Sequence, residues 1–393
     1  MKKIFISIIL FFMLLTNLSF AKEEILENDD SSIIEQTTEQ IMETTQKTLG
    51  ISDFLKEADK YTQNIYGNIN LSDIFSNIIK GKYKTNFIKS TIFTLFGKDV
   101  KESFRLMFNV LIIIIIHSVM KEIIENLGNN SSAKIAYFVQ YLMIVTLVTQ
   151  SFVSVLNITK EAIDNLSNFM NLLIPLLTTL ILTTGCISIS NIFQPTLIFL
   201  SSMLGNFFNN FLMPVLLMSI TFSIISNISD KVQLDKLSKF FKSSIVWILG
   251  ILLTIFTCLI SVEGTLSSSV DALTAKTTKA AVSNFIPVVG KILGDTTETI
   301  IGCSNILKNA VGIIGLIIIV GIVLIPLLKI LTLWVTFCLT SAICEIIADN
   351  KIVKLTSQIA DSYRILLAIL FSVSIMFFIA ITLVLKITNT AVM

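Results

Sequence analysis

The chain has 393 residues, of which 53% are hydrophobic and 14% charged, with a formal net charge of +2 and a mean hydropathy of +0.83. Soluble domains carry about 25% charged residues, so this composition excludes a soluble globular protein and implies several passages through a bilayer. A charge so close to zero offers no basic field for nucleic acid, and the lone histidine and five cysteines show no CxxC or HExxH spacing.

The first residues, "MKKIFISIILFFMLLTNLSFAKEE", combine two lysines, an apolar stretch from Ile4 to Leu15 and small residues before Lys22. That is the pattern of a secretory signal peptide over 1–21, cleaved after Ala21, which places the following segment outside the cytoplasm. Residues 22–80 hold twelve acidic and five basic residues with thinly spaced apolar ones, and predict solvated, partly helical structure rather than a packed core. In "LSDIFSNIIKG", Ser72 can cap a short helix whose Phe75, Ile78 and Ile79 share a face, with Gly81 ending it. "FIKSTIFTLFGKD" is similar. Both read as helices on the outer membrane surface or as a protein contact. Residues 22–102 are therefore predicted as an exported, acidic and amphipathic N-terminal region.

Apolar runs then predict spans at about 103–120, 135–157 and 169–188, two within 192–227, and others near 244–262, 309–328, 330–348 and 365–385. The fold class is all-α polytopic integral membrane protein, with about eight or nine transmembrane helices. Region 103–229 holds about five of them and 244–393 about four, the latter including an amphipathic segment at 265–307. Pro175, Pro214, Pro287 and Pro326 are candidate helix breaks, as are Gly185, Pro195 and the Asn209–Asn210 pair. Residues 230–243 between the regions form an amphipathic basic loop. Its Lys231, Lys236, Lys239 and Lys242 suit a cytoplasmic, anionic membrane surface and imply a cytoplasmic C-terminus.

Within 283–302, Asn284, Lys291, Asp295 and Glu298 fall on one side of a helical wheel. A charge facing lipid costs about 2.5–3.5 kcal/mol at the bilayer centre, so this face must meet water, other charges or a partner. It reads as an interfacial helix, a pore-lining wall or a docking surface. His117 is expected at a helix contact or snorkelling rather than in a proton relay. Lys329 is expected at a tight turn between two spans, and Glu345 at a span's outer end. No catalytic, cofactor-binding or metal-ligating set emerges, no G-x-x-x-x-G-K-[ST] loop occurs, and the chain is not expected to be an enzyme.

The stretch "ISVEGTLSSSVDALTAKTTKAAVSNFIPVVGKILGDTTETIIGCSNILKNAVGIIG" carries a resemblance. Its serine-rich start, lysines near 276–279, I-P-V-V-G turn, acidic Asp295 and Lys308-x-x-x-Gly312 resemble the stage III sporulation protein AE family. The resemblance extends over essentially the whole mature chain. It implies a membrane component of the transenvelope complex, a secretion-like channel or feeding tube, between the mother cell and the engulfed forespore. That complex is needed for late forespore gene expression. The implied partners are other stage III sporulation A-operon proteins, namely the ATPase-like AA protein and the ring-forming AG and AH proteins, and indirectly stage II sporulation protein Q. The implied location is the mother-cell membrane around the forespore, and no cofactor is implied. Two other readings stay open: a scaffold that recruits ring and ATPase subunits without conducting anything, and an autonomous small-molecule transporter.

Overall fold

A computed structural model describes residues 46–66, 71–79, 86–126, 131–228, 233–285 and 289–392. The signal-peptide region lies outside them, as do Lys231 and Pro287. Among the described residues every regular element is helical, as the apolar periodicity predicts.

Two short helices come first, α1 (Ile51–Tyr66) and α2 (Leu71–Ile79). α1 places Ile51, Phe54, Leu55 and Ala58 at the spacing of a single helical stripe, and all four are buried. Phe54 and Tyr61 meet the ring of Phe169 at centroid distances of 6.2 and 5.9 Å. Burial, with Glu57 adding to it, pushes the Tyr61 hydroxyl above its ordinary value. Leu71 and Phe75 of α2 are also buried, with Ile78 and Ile79 packed against the core. For α1 this corrects the expectation of solvated structure, and for α2 it agrees with the protein-contact alternative. The apolar residues are few, but they share one stripe, and the stripe docks on protein.

The long helices follow: α3 (Asn86–Asn126), α4 (Ser131–Thr183) and α5 (Ile187–Phe207). α5 continues through a π-helical turn (Phe208–Leu212) into α6 (Met213–Ile228). Then come α7 (Asp235–Phe285), α8 (Val289–Ile347) and α9 (Asn350–Val392). Among the described residues six stretches are long and apolar enough to cross a membrane: Lys101–Met120, Phe138–Thr183, Ile187–Ile228, Asp235–Asp271, Thr299–Ile347 and Asn350–Asn389. Eight or nine were expected. The difference arises because runs separated by charges or proline do not turn. Pro175 and Pro326 lie inside continuous helices, Pro195 lies inside α5, and Pro214 follows the π turn directly. Lys329, expected at a turn, is half-buried within α8. Proline is tolerated inside apolar helices where neighbouring helices and hydroxyls re-satisfy the backbone. At 1.5 Å per residue, the 46 residues of Phe138–Thr183 extend about 69 Å, roughly twice the 30 Å hydrocarbon thickness.

The chain does reverse at Gly185, whose φ of +87° is open to glycine at no steric cost. Helices α4 and α5 then run antiparallel, with the Ser167 and Ser201 hydroxyls 3.3 Å apart and Ser190 Oγ donating to Thr178 O at 2.9 Å. The α6–α7 hairpin is fastened by Ser223 and Ser238 hydroxyls at 2.6 Å and by stacked Phe222 and Phe241. Helices α8 and α9 form the most extensively packed pair and the centre of the bundle.

At Gly264, α7 packs tightly against its neighbours. A Cβ there would lie 2.0 Å from Ile387 Cδ1 and 3.4 Å from the Phe193 ring. Gly264→Leu is therefore expected to destabilise the protein by about 1–3 kcal/mol through overpacking, measured as a lower thermal midpoint in detergent. A wild-type midpoint would show that the three helices can separate freely there.

The basic loop is only partly a membrane-surface element. Lys236 and Lys239 are exposed. Lys242 is half-buried and donates to Gln358 O at 2.8 Å, which corrects its placement on lipid. Gln358 also donates to Asp235 at 3.1 Å and accepts from Asn227 at 2.7 Å, while Lys354 pairs with Asp235. This polar clamp ties the α6–α7 hairpin to α9.

Candidate functional site

The four residues predicted to share a polar face do not share a helix. Asn284 is next to last in α7, whereas Lys291, Asp295 and Glu298 belong to the first turns of α8. A single wheel through 283–302 assumed an unbroken helix, and α7 ends at Phe285. The side chains of these four lie outside the described residues. His117, by contrast, is buried on α3, which agrees with a helix contact and not with snorkelling.

The Gly185 end of the bundle holds a buried polar seam. Cys186 occupies the N-cap position of α5 and supplies no side-chain cap. Asp271 of α7 does so instead: its two carboxylate oxygens accept the backbone N–H groups of Ser188 and Ile189, each at 2.9 Å. The first amides of a helix lack intrahelical acceptors and carry its positive dipole end, so a buried carboxylate is well matched there. Glu263 and Ser267 precede Asp271 by two helical turns and one, on the same face. Glu263 Oε1 accepts from Thr196 Oγ1 at 3.2 Å. The other Glu263 oxygen and Ser267 Oγ have no hydrogen-bond partner among the described residues. Lys308 of α8 is fully buried and donates to Asn305 Oδ1 at 2.6 Å. Burial pushes the Cys186 thiol up, with Thr184 and Lys308 opposing the shift and Asp271 adding to it. A thiol so protonated is inert, and the Asp271 and Glu263 bonds join α7 to α5.

A second polar feature lies on α4. Along α4, Gln150, Ser154, Asn157, Glu161, Asp164, Asn168 and Asn171 recur at alternating steps of four and three, and all seven are exposed. Only Val153 interrupts them among exposed large apolar residues between 150 and 171. The repeat extends about 32 Å along the helix. Its middle is anchored by the π turn, where Asn209 Nδ2 donates to Asp164 Oδ1 at 2.5 Å and to Lys160 O at 3.4 Å. Single π turns inside long helices frequently mark functional positions. At the Gln150 end the repeat runs into a cavity of about 350 Å³ between α3 and α4, whose polar lining is Glu102, Arg105, Asn109, Gln150, Ser151 and Ser154. Sequence reading missed this repeat because Lys160, Glu161 and Asp164 look like a loop between two spans. The four-three spacing of polar residues was the available signal.

Comparison with known proteins supplies a relationship. The family described as Stage III sporulation protein AE (spore_III_AE) matches residues 69–388. The chain is similar to the Stage III sporulation protein AE of Bacillus subtilis (strain 168), being 32% identical over 284 residues, which are 72% of this chain and 71% of that protein. No solved structure matches it.

Proposed function

The chain belongs to the Stage III sporulation protein AE family, and from that premise we propose that it is a membrane subunit of a transenvelope complex joining the mother cell to the engulfed forespore. In this reading it resides in the mother-cell membrane around the forespore and works with other proteins of the stage III sporulation A operon. Those partners are the ATPase-like AA protein and the ring-forming AG and AH proteins, with stage II sporulation protein Q beyond them. It contributes to a secretion-like channel or feeding tube and has no enzymatic role of its own.

One observation bears on how it contributes. The centre of the bundle, around Tyr363, Phe152 and Phe337, is closed by fully buried aromatic side chains. A conduit through one copy would need polar groups along its axis. The packed interior therefore supports a wall or platform in a larger assembly over a self-contained transporter. Deleting the gene in its own spore-forming host is expected to abolish heat-resistant spores after engulfment and to silence late forespore reporters. Capture of a tagged, crosslinked copy should recover the A-operon partners. A deletion strain that sporulates normally would overturn the proposal, and capture without those partners would remove the complex from it.

A further inference from the structure

We infer that the polar repeat on α4 faces water at membrane depth, as one wall of an aqueous cleft on the side of the bundle turned away from lipid. Interhelical bonds set the depth. Ser167 of α4 is level with Ser201 of α5, and Thr196 of α5 is level with Glu263 of α7. Asp164, Asn168 and Asn171 therefore sit at the height of residues near 255–266 on α7. There α7 exposes Ile255, Leu259, Val262 and Leu266. Its exposed Thr254 and Thr265 turn their hydroxyls back onto the carbonyls of Gly250 and Ser261, the arrangement a helix needs against hydrocarbon.

One level of the bundle thus presents a lipid-compatible face on α7 and a carboxylate-and-amide face on α4. Lipid against Glu161 and Asp164 is disfavoured by the cost of intramembrane charge. A second observation points the same way. α1 docks on Phe169, between the last two repeat residues, and there its Asp53 and Lys56 side chains are 87% and 80% exposed. An exposed pair of opposite charges at that position calls for water rather than acyl chains. A wall of carboxylates and amides suits small hydrated solutes, not acyl chains. Such a wall does not depend on the sporulation role.

The test is residue-by-residue accessibility in the full-length protein held in lipid nanodiscs. With the five native cysteines replaced, Asn157→Cys, Asp164→Cys, Asn168→Cys and Asn171→Cys are compared with Ile255→Cys, Leu259→Cys and Leu266→Cys, and Ile163→Cys serves as a buried control. A charged, membrane-impermeant thiol reagent is expected to label the α4 set roughly tenfold faster or more, because water is excluded from the apolar face. Equal labelling of α4 and α7 would mean that this part of the bundle stands outside the membrane. Silence at the α4 positions would mean a dry contact. Either result overturns the inference.

A second measurement leaves the cysteines intact. Asn168→Trp, made with Trp247→Phe and Trp334→Phe, is expected to be quenched by aqueous iodide and not by brominated acyl chains. Native Trp247, 72% exposed on α7, should show the opposite when Trp334 alone is replaced. Quenching of Asn168→Trp by brominated lipid would refute the water-facing wall.

Discussion

Asp271→Ala is expected to lower the stability of the purified protein by about 2–4 kcal/mol, seen as an earlier unfolding transition in detergent. The carboxylate is buried, with 5% of its surface exposed, and it accepts two backbone amides at the start of α5. Truncation leaves both N–H groups, one buried and one half-buried, without an acceptor and removes the negative charge that the helix dipole favours. The local cap of α5 cannot substitute, since Cys186 makes no side-chain bond there. Asp271→Asn keeps one acceptor oxygen but turns an NH2 toward the second amide, so it should recover less than half of the loss. Asp53→Ala, at a largely exposed position on α1, is the control and should change stability by about 0.5 kcal/mol or less. Hydrogen exchange supplies the site-specific check, with faster exchange at Ser188 and Ile189 in Asp271→Ala. Unchanged exchange at those two amides would show that the cap does not hold the helix start.

Tyr363→Ala should have the largest effect of any single core truncation, about 3–5 kcal/mol. Tyr363 is fully buried, with its ring 5.4 Å from Phe152 of α4 and 5.3 Å from Phe337 of α8. Its hydroxyl lies 3.0 Å from Ser151 Oγ. One residue of α9 thus touches both partner helices, and removing it opens a cavity where three helices meet. Tyr363→Phe keeps the ring contacts and loses only the hydroxyl bond, at a cost of about 1 kcal/mol. Ser151→Ala should cost a similar amount, and the double variant less than the sum of the two. Additive losses would mean that the two hydroxyls do not share a bond.

The two polar features of the bundle differ in how visible they were beforehand. Asp271 caps a helix 83 residues away in sequence, and no local pattern announces such a pairing. Lys308 appeared in the sequence only as part of a family motif, and its full burial is a property of the packing between helices. The α4 repeat was visible in principle, because alternating steps of four and three are a local regularity. It was obscured because charges inside an apolar run ordinarily mark the end of a span. For that reason Lys160, Glu161 and Asp164 split α4, and Lys329 split α8, into pairs of expected spans. Whether a helix continues through Lys160 or Lys329 is decided by neighbours that accept or shield the charge, such as Asn209 at Asp164.

By itself the sequence determined the class of this protein: apolar runs and a charge fraction of 14% dictate membrane helices, because hydropathy and helical periodicity are local properties of a chain. Gly185 as a reversal point was equally local, since a positive φ favours glycine. Only the tertiary structure decided which helices are continuous, that α1 docks on the bundle, and that Asp271 closes the start of α5. It also decided that α4 and α7 turn a polar and an apolar face outward at one depth. These depend on which residues meet across long separations, and that information lies in the packing of all the helices together.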